Sequence, residues 1–126
     1  MHITISERLK PFSQLPGTLC PLPGTKFVAQ VYPSKVILFD NTKAPMAAVR
    51  EISIPIPCAM EKFTVLLDLE RPSIVVWGWC GELYVRYRLL ANETKDDLLL
   101  VQEKGELFSP KERKLLIEIH LIDQDA

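Results

Sequence analysis

The sequence predicts one all-β domain, an antiparallel β-sandwich or flattened barrel of about nine strands, with at most one short helical turn near residues 110–114. Three observations carry this. Apolar and polar residues alternate with a period of two along much of the chain. The alternating runs are rich in Ile, Val, Phe, Tyr and Trp, which suit a pleated, half-buried surface. Turn-forming residues interrupt the runs at short intervals, too close together for βαβ units. With 126 residues, 48% of them hydrophobic and 25% charged, the chain is sized for a single globular domain spanning 1–126. A domain of that length buries roughly two-thirds of its unfolded surface and needs no staples to fold.

Taken in order, Ile3 and Ile5 alternate with His2, Thr4 and Ser6 as a first strand. The proline-rich loop 11–25 follows and holds a near-repeat, Leu15-Pro16-Gly17-Thr18 and Leu22-Pro23-Gly24-Thr25. Pro-Gly favours a type II turn, because proline presets the first central residue and glycine supplies the positive φ of the second. Two such turns predict a rigid loop wrapped on a sheet edge. Strand patterns then run through Phe27, Ala29 and Val31, through Ile52, Ile54 and Ile56, and through Phe63, Val65, Leu67 and Leu69. Breaks fall at Pro33-Ser34, Asn41 to Pro45, Pro57-Cys58, Arg71-Pro72, Gly81-Glu82, Asn92 to Asp97 and Lys104 to Pro110. Ser109-Pro110-Lys111-Glu112 has the form of a capping box with proline at the first helical position. Ile117, Ile119 and Leu121 alternate with Glu118, His120 and Ile122, so the expectation is one helical turn and a final strand. A longer helix through His120 is the alternative.

The most specific feature is the hairpin from Ser73 to Arg88, with Gly81-Glu82 at its turn. A two-residue type II′ loop there sets Trp79 opposite Tyr84, Trp77 opposite Arg86 and Val75 opposite Arg88. One face then carries Ile74, Val76, Cys80, Val85, Tyr87 and Leu89, a core surface. The other gathers Trp77, Trp79, Tyr84, Arg86 and Arg88, the candidate ligand- or partner-binding residues, with Arg86 placed for a cation–π contact over Trp77. A three-residue loop, Trp79-Cys80-Gly81, would instead turn Trp77 into the core, since a one-residue slip exchanges the two faces. In a third arrangement both faces are covered, one by core and one by the Pro-Gly loop.

The chemistry elsewhere is sparse. His2 and His120 have no metal-site spacing, and no metal ligands or cofactor are expected. Cys20, Cys58 and Cys80 form an odd, widely spaced set, read as free and mostly buried thiols. Glu93, Asp96 and Asp97 cluster in one loop without EF-hand spacing and read as solvated charges. Asp68 and Glu70 read as strand-end polar groups, and Lys111, Arg113 and Lys114 as a solvated turn broken by Glu112. No nucleophile elbow or phosphate-binding glycine loop is present, so catalysis is not expected.

A formal charge of −1, with both signs interspersed, argues against a nucleic-acid binder or a polybasic membrane module. No signal-like or membrane-spanning run is visible, and a cytoplasmic location follows as a default. The expected function is a non-catalytic binding or assembly module whose partner is a protein or a second copy. The alternative is a carbohydrate-binding or accessory domain of a glycoside-active protein. That alternative needs Trp77, Trp79 and Tyr84 coplanar and exposed.

Overall fold

The computed structural model describes residues 9–70, 72–94, 96–103 and 110–122. Among these are nine strands and one helix: β1 Leu9–Ser13, β2 Leu19–Pro21, β3 Phe27–Val31, β4 Lys35–Asp40, β5 Ala47–Ser53, β6 Lys62–Asp68, β7 Ser73–Cys80, β8 Leu83–Ala91, β9 Leu98–Gln102 and α1 Pro110–Glu118. The strands form two antiparallel sheets, β1-β6-β7-β8-β9 and β2-β3-β4-β5. Each sheet is a meander of four consecutive strands, and β1 returns to lie beside β6. This is the predicted sandwich.

The period-two runs place the core. Phe27, Ala29, Val31, Val36 and Leu38 from one sheet meet Phe63, Val65, Ile74, Val76, Val85, Tyr87 and Leu89 from the other in a single buried cluster. Tyr87 brings a hydroxyl into this layer and satisfies it by donating to the Pro55 carbonyl at 3.0 Å. That contact fixes the connection between the sheets, residues 54–61, against the core.

Both Pro-Gly turns form as the dipeptide dictates. Gly17 and Gly24 have φ of 79° and 76°, the left-handed value a type II turn requires at its third residue. The threonine of each repeat closes its own turn, with Thr18 Oγ1 donating to Leu15 O at 3.2 Å and Thr25 Oγ1 to Leu22 O at 3.0 Å. Between the turns the loop supplies β2, which pairs with β3 as a sheet edge and buries Cys20; Leu22, just after the strand, is buried too.

The strand expected over Ile3 and Ile5 lies outside the described residues, as does Ser109 of the capping box. The strand expected through Ile52, Ile54 and Ile56 stops at Ser53, and Ile54 and Ile56 lie in the connection between the sheets. At the other end, the residues from Pro110 to Glu118 are helical, so a two-and-a-half-turn helix replaces the single turn, and no strand forms over Ile117 to Leu121. The helix ends in a Schellman arrangement. Leu121 N–H donates to Leu116 O at 2.9 Å and His120 N–H to Ile117 O at 3.0 Å, while His120 takes the left-handed φ of 62° that glycine usually occupies there. His120 is therefore a helix-terminating residue, not a strand residue. No helix among the described residues is long and apolar enough to cross a membrane.

Candidate functional site

The hairpin adopts the two-residue register. Trp79 pairs with Tyr84, Trp77 with Arg86 and Val75 with Arg88, and Gly81 has the φ of 64° that opens a type II′ turn. The five candidate residues Trp77, Trp79, Tyr84, Arg86 and Arg88 therefore share the outer face of their sheet. The Arg86 guanidinium carbon sits 5.2 Å from the Trp77 ring centre, as the cross-strand pairing implies. Tyr84 stands edge-on to both indoles, at 4.9 Å and 82° from Trp77 and at 4.6 Å and 76° from Trp79.

That face is assembled but not open. Trp77 is 1% exposed and Arg88 is 6% exposed; Trp79, Tyr84 and Arg86 are half-buried. The cover is α1 and the two residues after its cap. Leu116, Leu121 and Ile122 join Leu9, Leu66, Val75 and Trp77 in a second buried cluster, with Trp79, Tyr84, Leu115 and Ile119 packed against it. Both faces of the hairpin are thus covered, and the covering element is the C-terminal helix rather than the Pro-Gly loop. The Trp79 indole N–H donates to Leu121 O at 2.7 Å, tying the end of the helical segment to the sheet.

The arginines are the polar half of the same seat. Arg86 grips Glu112 of α1 through two bonds, Nε to Oε2 at 3.0 Å and Nη2 to Oε1 at 2.8 Å, and also pairs with Glu103. Arg88 donates to Asp68 Oδ2 at 2.8 Å, to Ser73 Oγ at 2.6 Å and to Glu103 Oε1 at 2.8 Å. The result is an alternating chain, Asp68–Arg88–Glu103–Arg86–Glu112, whose forked geometry suits guanidinium–carboxylate pairing. Burial pushes the Glu112 carboxyl above its ordinary range, and the hydrogen bonds and charge of Arg86 oppose that rise. Burial likewise raises the Tyr84 hydroxyl, so it stays neutral.

Sequence reasoning missed Asp68, Glu103 and Glu112. Asp68 ends β6 as a strand-end polar residue, and it is buried there; Glu112 is buried rather than part of a solvated turn. The available signal was helical spacing: Glu112, Leu116 and Ile119 fall at i, i+4 and i+7 on one stripe. A charge at the first of those positions hid the pattern, because its partner Arg86 lies 26 residues earlier.

The remaining polar candidates lie apart from this face. Asp96 accepts from Asn92 Nδ2 at 2.7 Å and Thr94 Oγ1 at 2.6 Å, and these two bonds lower its carboxyl below the ordinary range. Asp97 pairs with Arg50 at 2.6 Å. Among the described residues no group of three metal-ligating side chains converges. His2 lies outside the described residues. The chain matches no protein-family model, no curated protein and no solved structure in the comparisons made.

Proposed function

We propose that this chain is a protein-interaction module that takes an extended strand of its partner onto the open edge of β9. The aromatic strip serves that function from within, by holding the outer face of the same sheet rigid under α1. A carbohydrate platform is not favoured, because Tyr84 stands nearly perpendicular to both indoles and Trp77 is buried.

The observation that carries the reading is the state of the β9 edge. Among the described residues β9 pairs with β8 alone. Backbone bonds join Glu103 N–H to Arg86 O at 2.9 Å and Asn92 N–H to Asp97 O at 3.0 Å. In an antiparallel ladder this phase turns the N–H and C=O groups of Leu98, Leu100 and Gln102 away from β8. Leu98 is already occupied, since Asp97 Oδ1 accepts its N–H at 2.8 Å and Arg50 donates to its carbonyl at 3.3 Å. Leu100 and Gln102 present the remaining ladder groups. Beside them, Leu99 and Val101 project outward at 52% and 42% exposed. An edge strand with unpaired ladder groups and outward apolar side chains is a template for strand addition. The neighbouring edge, β5, is blunted by a bulge near Val49 and by Arg50 and Glu51. A cleft of about 310 Å³ lined by Val49, Arg50, Asp96 and Asp97, among others, opens beside it.

A displayed library of extended peptides selects the partner chemistry directly. Bound peptides are expected to alternate apolar and polar residues and to slow hydrogen exchange at the Leu100 and Gln102 amides. Leu99→Lys/Val101→Lys should keep the fold, because both side chains are exposed, and weaken peptide binding at least about tenfold, or about 1.4 kcal/mol. Protection confined to another face, or undiminished binding by the double variant, contradicts the assignment.

A further inference from the structure

The three cysteines occupy unlike environments. Cys20 is 1% exposed in the core between the sheets, and burial pushes its thiol up to about 12. It has no sulfur partner and no thiolate character, so it is chemically quiet. Cys58 and Cys80 differ. Cys58 lies exposed in the 54–61 connection that carries the chain from one sheet to the other. Cys80 is buried as the last residue of β7, immediately before the hairpin turn. Their sulfurs are 2.6 Å apart. The Cys80 thiol donates to Cys58 O at 3.0 Å and accepts from Cys58 N–H at 3.3 Å. A disulfide requires two sulfurs at about 2.05 Å with their backbones already near. Here the backbone of one cysteine is bonded to the sulfur of the other.

We propose that Cys58 and Cys80 are a reversible dithiol–disulfide couple, in which oxidation clamps the 54–61 connection onto the end of the hairpin. The oxidant is a small disulfide of the glutathione type. Cys58, the exposed thiol, loses its proton to solvent, and its sulfur attacks one sulfur of the oxidant. The oxidant's S–S bond breaks and one small thiolate leaves. Cys80 then loses its proton and attacks Cys58 Sγ, which forms the Cys58–Cys80 bond and releases the second small thiol. The two protein thiols lose two electrons and two protons, and the disulfide that takes them up becomes two thiols. Cys80 supplies the resolving sulfur and is screened from bulk reagents. The hydrogen bond with Cys80, desolvation and the negative charge of Glu61 hold the Cys58 thiol above its ordinary range. Exchange is therefore slow at neutral pH and best followed at mildly alkaline pH.

The couple closes a loop that contains β6 and β7, so it joins the crossover between the sheets to the strand pair at the centre of one of them. Met60 of the same connection already packs on Gly78, where a Cβ would come within 2.1 Å of the Met60 sulfur. The clamp would tighten a contact that the reduced chain makes.

The test incubates the folded 126-residue chain with oxidised glutathione, quenches with acid and alkylates, then maps peptides by mass spectrometry. The expected product is lighter by about 2 Da, retains one alkylatable thiol of the original three, contains a Cys58–Cys80 cross-link and reverts with dithiothreitol. Cys20→Ser should form the same link at an unchanged rate. Cys58→Ser, a change at an exposed side chain, should form none. A chain that stops at a Cys58–glutathione adduct with Cys80 still alkylatable overturns the proposal. So does a link that involves Cys20, persistence of all three thiols, or a Cys58–Cys80 link that appears only after unfolding.

Discussion

Arg88→Ala is expected to cost about 3–5 kcal/mol of stability, the range for removing one partner of a buried ion pair. The Arg88 side chain is 7% exposed and that of Asp68 is 1% exposed, so the substitution leaves a carboxylate in the interior without the guanidinium that faces it. Ser73 and Glu103 lose the same donor. Replacing both charges, as Arg88→Met with Asp68→Leu, should recover most of the loss, since well-packed apolar groups of similar volume often replace a buried pair at little cost. Urea denaturation measures both variants. A single variant that loses less than about 1 kcal/mol, the worth of an exposed pair, would show that Arg88 and Asp68 are solvated in solution.

Trp77→Ala should be comparably severe, at about 3–5 kcal/mol, the range for removing a large aromatic side chain from a packed interior. The indole joins three elements at once: β7, the neighbouring strand through Leu66, and α1 through Leu116. Arg86 lies over its face and the Tyr84 ring meets it edge-on. Its loss therefore opens a cavity beneath the helix and removes two aromatic contacts. Trp77→Phe should cost much less, because a smaller ring still fills part of the space. Since domains of this kind are stable by about 5–15 kcal/mol in total, either alanine variant should lower the denaturation midpoint markedly. A small shift for Trp77→Ala would mean that α1 leaves the sheet in solution.

The parts of the fold visible in the sequence were those set by local chemistry. The period of two placed Phe63, Val65, Ile74 and Val76 on the inner face, because a strand assigns alternate residues to opposite sides whatever its neighbours are. The Pro-Gly dipeptides specified their turns through φ alone. Gly81-Glu82 located the hairpin turn but left two registers open, because a one-residue slip exchanges the faces; the pairing of Trp77 with Arg86 is the one the structure adopts. What covers the outer face was not local. Leu115 to Ile122 supports a helical stripe and a strand alternation equally well, and the stripe begins on a glutamate. Only the meeting of Glu112 with Arg86, across 26 residues of chain, makes that glutamate a core position. The same long-range contact turned a candidate binding strip into a helix seat. The β9 edge was hidden for a related reason. Which ladder groups point outward depends on the phase of pairing with β8, and no pattern within residues 98–102 reports it.

The central claim is that the tryptophan and arginine strip is a seat for α1 rather than a surface. A Trp79→Phe variant leaves Trp77 as the only indole, since the chain has two tryptophans; it gives up the hydrogen bond to Leu121 and part of the ring packed against Tyr84, and keeps an aromatic ring in that place. Acrylamide quenching of its fluorescence measures the exposure of Trp77 in the folded chain. The structure predicts blue-shifted emission that acrylamide barely quenches until the chain is unfolded. Emission that is red-shifted and freely quenched under native conditions, matching the unfolded chain, would contradict it.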